Sequence, residues 1–130
     1  MTPTLTLAFD QADLGQHIGS LSEAELDELP FGVIGIDEQG VVRAYNQFES
    51  RLAGLAPQRV LGHALFTVVA PCMNNFLVAQ RFEDAAANAA LLDATLDYVL
   101  TLRMRPVKVR LRLLARPGQA LRHVLVQRPA

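Results

Sequence analysis

Residues 96–113 have the sequence LDYVLTLRMRPVKVRLRL, and their pattern decides the fold. Before Pro106, apolar side chains occupy every second position: Leu96, Tyr98, Leu100, Leu102 and Met104. After Pro106, apolar and basic residues alternate: Val107, Lys108, Val109, Arg110, Leu111, Arg112 and Leu113. Because successive side chains of a strand point to opposite faces, this period of two predicts two β-strands.

Three further strands are predicted on either side of this stretch. A turn at Pro117–Gly118 precedes a strand over 121–127, and Gly40 completes the turn of a hairpin formed by 31–36 and 41–45. The N-terminal hairpin and the last three strands can form one sheet if the hairpin pairs with one of those strands. The sequence therefore predicts an α+β fold with a five-stranded antiparallel sheet.

The segment between the hairpin and the last three strands carries the start and end signals of three helices. Asn46 is a natural N-cap for a helix to Ala53, and Pro57 begins a second helix that Gly62 ends. A longer helix is predicted from Asn74 or Asn75 to 89. These helices are expected to cover one face of the sheet.

Composition limits the classes of protein that are possible. The chain has 130 residues, 51% of them hydrophobic and 19% charged, with a net charge of -1, which predicts one domain without attraction to nucleic acid or membrane. The first residues lack the pattern of a secretory signal, so a cytoplasmic location is expected. The single cysteine cannot form an internal disulfide, and the three histidines lack metal-ligand spacing.

The charges are distributed unevenly along the chain. Residues 1–40 contain eight acidic residues and no lysine or arginine, whereas residues 98–130 contain eight basic residues and no acidic one. We therefore expect residues 1–28 to form an N-terminal cap, which docks on the strand face that carries Lys108, Arg110 and Arg112. Ser22 and Glu25 predict a capping box within it. Residues 29–130 form the predicted core, and the basic strands lack the interleaved aromatics of a nucleic-acid surface.

Four short stretches together resemble one family. They are LPFGVIGID at 29–37, YNQFE at 45–49, VAPC at 69–72 and MRPVKV at 104–109. Their order and spacing are similar to those of the photoactive yellow proteins, and the resemblance covers nearly the whole chain. It implies the PAS fold, with helices on one face of the sheet and an N-terminal helical cap.

The resemblance also implies a cofactor and its chemistry. The cofactor is p-coumaric acid (4-hydroxycinnamic acid), bound to Cys72 as a thioester, with Tyr45 and a neutral Glu49 donating hydrogen bonds to its buried phenolate. Blue light would drive trans/cis isomerisation and proton transfer from Glu49, and the buried carboxylate left behind would release the cap. Met104 corresponds to a methionine that assists thermal recovery.

Some positions depart from the family pattern. Ala53 stands where the family usually has a threonine that contacts the pocket tyrosine, and Leu55 stands where it usually has an arginine. Leu100 is one of several leucines at positions that are usually aromatic. The predicted donor network is therefore shorter, and the pocket is more apolar.

Simpler interpretations of the same residues remain open. A lone cysteine is commonly an inert buried residue, and Glu49, three residues after Asn46, has the spacing of a capping box. The altered pocket also suits a PAS module that is not photoactive and senses another ligand or mediates protein contacts. An enzyme is not expected, because no histidine is placed as a base for Cys72. The partner is expected to be an unidentified signalling protein, and the chain a monomer or weak homodimer.

Overall fold

One antiparallel sheet of five strands forms the centre of the molecule in the computed structural model, which describes residues 7–101 and 106–129. The strands are β1 (Gly32–Ile36), β2 (Val42–Tyr45), β3 (Leu92–Leu100), β4 (Val107–Ala115) and β5 (Arg122–Gln127). Their order across the sheet is β2-β1-β5-β4-β3, so β5 lies between the first hairpin and the second. The predicted five-stranded antiparallel sheet is confirmed.

The helices are short. They are α1 (Leu14–His17), α2 (Glu23–Asp27), α3 (Gln47–Ala53), α4 (Pro57–Val60) and α5 (Ala79–Ala87), with 3-10 turns at Ile18–Ser20 and Pro71–Met73 and a π-helical turn at Leu65–Val69. The capping box predicted for Ser22 and Glu25 is present at the start of α2. Within residues 7–101 and 106–129, no helix is long and apolar enough to cross a membrane.

Two elements start four or more residues away from the predicted position. β3 begins at Leu92, four residues before Leu96, because its pairing with β4 continues to the partner of Leu92, Ala115. α5 begins at Ala79 and not at Asn74 or Asn75. The side-chain oxygen of Asn75 accepts hydrogen bonds from the backbone of Leu77 and Val78, which forms a local turn ahead of the helix.

The sheet separates two apolar layers. On one face, side chains of the strands pack with the helices that follow β2; the buried members include Ile34, Ile36, Val60, Leu65, Met73, Phe82, Leu100, Leu111, Leu113, Val124 and Val126. On the other face, the N-terminal segment covers the sheet; the buried members include Leu7, Phe9, Leu14, Ile18, Leu26, Phe31, Val33, Leu114 and Leu125. We call residues 7–28 the cap.

Arginines of β4 hold the cap on the sheet. Arg110 lies 3.5 Å from Asp10 and stacks over the ring of Phe9, while Arg112 donates to the backbone carbonyls of Phe9 and Gln11. The docking predicted from the charge distribution is therefore present at these two residues. Lys108, the third residue of the predicted surface, is exposed.

His123 is buried on the cap side of the sheet, between Gly35 of β1 and Leu114 of β4. Burial lowers the pKa of His123 from 6.5 to about 4. The unfolded chain takes up a proton near pH 6.5 and the folded protein does not, so stability is lost as the pH falls through this interval. We expect His123 to reduce the free energy of unfolding by on the order of 3 kcal/mol between pH 7 and pH 4.

Urea unfolding of wild type and His123→Phe at several pH values measures this contribution. The free energy of unfolding of the variant should depend less on pH than that of wild type. A change in packing energy that is the same at every pH cancels, because only the slopes of free energy against pH are compared. His63→Gln, which removes a histidine at an exposed position, is the matched control. Equal slopes for wild type and His123→Phe would contradict the assignment.

Candidate functional site

Asn46 fixes the relation between β2, α3 and the cap. Its side-chain oxygen accepts hydrogen bonds from the backbone of Val33 and Glu49, and its side-chain nitrogen donates to the carbonyls of Leu26 and Phe31. All four hydrogen-bonding positions of this buried amide are thus used. The neighbours Tyr45 and Glu49 are thereby held in place at the end of β2 and the first turn of α3.

Glu49 is buried, and its carboxylate accepts two hydrogen bonds from Arg128. The distances are 2.6 Å from Nη1 to Oε1 and 3.1 Å from Nη2 to Oε2. Burial raises the pKa of Glu49 above its ordinary value, while the hydrogen bonds and the charge of Arg128 oppose that rise. A capping box with an exposed Glu49 side chain is not formed: Asn46 caps the helix, and the carboxylate points inward to Arg128.

Tyr45 lies beside this ion pair and is half-buried. Its hydroxyl donates to the backbone carbonyl of Leu55 over 3.2 Å, and the Ser50 hydroxyl donates to the same carbonyl over 2.9 Å. Burial raises the pKa of Tyr45, and the nearby charge of Glu49 adds to this rise, whereas Arg128 opposes it. Tyr45 and Glu49 are therefore close neighbours in the structure, each with a hydrogen-bond partner of its own.

Cys72 lies in the 3-10 turn Pro71–Met73 as a free, half-buried thiol. Two side chains hold its backbone carbonyl. Tyr98 of β3 donates to it from its hydroxyl, and Asn75 donates from its side-chain nitrogen, which also contacts the Tyr98 hydroxyl at 2.6 Å. The turn is thus tied to the sheet at the residue that carries the thiol.

The structure brings most of the predicted site residues to one core layer. Leu100 is buried there, and Tyr45, Leu55 and Cys72 pack against the same cluster. Ala53 is buried at the end of α3. Met104 lies outside the described residues. The partner of Glu49 differs from the expectation, because the carboxylate is paired with Arg128, the residue after β5.

Two contacts of the site could not be found by sequence reasoning. Arg128 is 79 residues from Glu49 in the chain. The sequence indicated only that Arg128 lies in residues 98–130, which contain no acidic partner for it. Tyr98 and Asn75 are likewise 23 residues apart. Such pairs depend on how β3 and β5 are placed in the sheet, which local spacing does not reveal.

The chemistry of these side chains fits a covalently bound aromatic acyl group. The chain supplies a free thiol, apolar side chains of the same core layer that include Leu55 and Leu100, and a cluster of hydrogen-bonding groups at Tyr45, Glu49 and Arg128. Within the described ranges, no group of three or more histidine, cysteine, aspartate or glutamate side chains could hold a metal ion.

Comparisons with known proteins agree with this architecture. Residues 26–128 match a family model described as PAS fold. The photoactive yellow protein of Rhodothalassium salexigens is 36% identical over 104 residues, 80% of this chain and 82% of that protein. That of Halochromatium salexigens is 35% identical over 103 residues, 78% of this chain and 81% of that protein.

A solved structure is also similar. The photoactive yellow protein domain of the sensor histidine kinase Ppr from Rhodospirillum centenum is 38% identical, with a TM-score of 0.79 and a match that covers 88% of this chain and 99% of that domain. The identity and coverage of these relatives, together with the five-stranded sheet and its cap, establish that this chain belongs to the photoactive yellow protein family and has the PAS fold.

Proposed function

We propose that the protein is a blue-light receptor in which Cys72 carries a p-coumaroyl group as a thioester. The observation that carries the proposal is the position of this thiol. The single cysteine of the chain is free and half-buried on the core layer that also contains Tyr45, in a chain whose relatives bear the name photoactive yellow protein. When bound, such a group supplies blue absorption and a double bond that isomerises between trans and cis.

The residues of the chain have separate roles in this proposal. Tyr98 and Asn75 hold the backbone of Cys72, which limits the directions in which its side chain can point. Tyr45 provides a hydroxyl donor, and Glu49 is the group that holds or gives up a proton in the buried site. A buried carboxylate that loses its compensation costs several kcal/mol, enough to displace the cap as the signal.

Acylation of the purified protein tests the proposal. With p-coumaric anhydride, the Cys72 sulfur forms a bond to one carbonyl carbon, the anhydride C–O bond breaks, p-coumarate leaves and the thiol proton passes to solvent. We expect one added p-coumaroyl group by mass spectrometry and a new absorption band for wild type, and neither for Cys72→Ser. Asn74→Ala, at the exposed position two residues along, should react like wild type.

The outcomes separate the candidate functions. A wild-type protein that gains neither mass nor colour, or a Cys72→Ser protein that gains both, would overturn attachment at Cys72. A folded protein that stays colourless would support the alternative, a PAS module that is not photoactive and senses another ligand or mediates protein contacts.

A further inference from the structure

Arg128 and Glu49 form a buried ion pair. The family resemblance assigned no role to Arg128. Only 11% of the Arg128 side chain and 2% of the Glu49 side chain are exposed. The guanidinium contacts both carboxylate oxygens, one through each terminal nitrogen. Both oxygens of a carboxylate are strong acceptors, whereas one oxygen of a protonated carboxyl carries a hydrogen and is a weak acceptor, so the two-point contact is the geometry of an ionised Glu49.

The backbone of β1 provides the room for this arrangement. A Cβ atom at Gly32 would lie 2.1 Å from Oε1 of Glu49, closer than any side chain could approach. The carboxylate therefore occupies the space that a larger residue at position 32 would fill. Glycine at this position, Asn46 at the helix start and Arg128 together fix where the carboxylate lies.

We propose that Arg128 controls whether Glu49 can act as a proton donor. This inference rests on the proposed function, in which Glu49 gives up a proton inside the site. While Arg128 is paired with Glu49, the carboxylate accepts hydrogen bonds and has no proton to give. When Arg128 withdraws, the same carboxyl is left buried beside Tyr45 without this cation, and protonation becomes its stable state.

The position of Arg128 allows such a movement at small cost to the sheet. The pairing of β5 with β4 ends at Gln127, and its pairing with β1 ends at Val126, so Arg128 lies beyond both ladders. Among the described residues, 7–101 and 106–129, the titratable groups that face Glu49 are Tyr45 and Arg128, and Arg128 is the cation of the two. Arg128 is therefore a positioning residue that acts through the charge of Glu49.

Titration of Glu49 in the protein without a bound group tests the proposal. The side-chain carboxyl carbon of ¹³C-labelled glutamate is followed by NMR, and Glu49→Gln assigns the signal. We expect the pKa of Glu49 to be higher in Arg128→Gln than in wild type by about 1–3 pH units, because a cation within hydrogen-bond distance favours the ionised form. Arg128→Lys keeps the charge without the two-point contact and should lie between the two.

Arg122→Gln is the matched control. Arg122 is the first residue of β5, and its guanidinium donates to the carbonyl of Asp37, so the Glu49 titration should stay at its wild-type value. Backbone amide spectra establish that each variant is folded. A Glu49 titration that coincides in wild type and Arg128→Gln would overturn the role of Arg128. Failure of Cys72 to form the thioester would overturn the proposed function and leave this result standing.

Discussion

Replacing Asn46 with alanine is expected to lower the free energy of unfolding by about 3–5 kcal/mol, since four buried backbone groups lose their partner. Two of these groups are donors, the N–H of Val33 and of Glu49, and two are the carbonyls of Leu26 and Phe31. The protein is a small domain, whose total stability is roughly 5–15 kcal/mol. Urea unfolding followed by circular dichroism measures the change.

A second substitution separates the two roles of Asn46, which are to cap α3 and to bond the carbonyls of Leu26 and Phe31. Serine can still accept from the Glu49 N–H as a helix N-cap, but its side chain is too short to bridge to Leu26 and Phe31. Asn46→Ser should therefore recover only the capping share, about 1 kcal/mol, of what alanine loses. Asn74→Ala, at an exposed asparagine, is the matched control and should change stability by less than about 0.5 kcal/mol.

The result also bears on the site. Without Asn46 the first turn of α3 loses its cap, and Glu49 in that turn is no longer fixed opposite Arg128. A loss for Asn46→Ala as small as that for Asn74→Ala would show that water or neighbouring groups replace the four bonds. The bridging role assigned to this amide would then be wrong.

Asn46 also marks how far sequence reasoning could reach. Its place as an N-cap followed from a local rule, and so did the end of α3 at Ala53 and the strand alternation of β4. Its bonds to Leu26 and Phe31 join segments 20 and 15 residues apart, and no local rule contains them. Local hydrogen bonds and periodicity are encoded in neighbouring residues, whereas contacts between elements depend on the assembled sheet.

The same division holds within the candidate site. Cys72, Tyr45 and Glu49 could be named through the resemblance to the family, and the structure places Cys72 and Tyr45 on one core layer with Glu49 close to Tyr45. The partner of Glu49 could not be named, because eight basic residues in 98–130 were equally available in the sequence. β5 inserts between β1 and β4, and this topology selects Arg128.

Replacing Arg112 with methionine is expected to lower the free energy of unfolding by about 2–4 kcal/mol and to loosen the cap selectively. Arg112 is buried and makes two hydrogen bonds to the Asp93 carboxylate and one to each of the carbonyls of Phe9 and Gln11. Methionine fills a similar volume but offers no donor. The carbonyls of the cap then lie against an apolar side chain, so the cap separates from β4 before the sheet opens.

Hydrogen–deuterium exchange distinguishes this loosening from a uniform loss of stability. Arg112→Met should increase the exchange rates of amides in residues 7–28 relative to wild type. This increase should be larger than the increase for amides of β1 and β5. Arg110→Met is the matched control: the Arg110–Asp10 pair, at 3.5 Å and with 46% and 65% of the side chains exposed, should contribute at most about 1 kcal/mol. Equal exchange of the cap in both variants would show that apolar packing of Leu7, Phe9 and Leu14 holds it. Faster exchange in Arg112→Met alone would make this one guanidinium the main polar link between the cap and the sheet, because it joins Asp93 of β3, β4 and the cap at a single buried point.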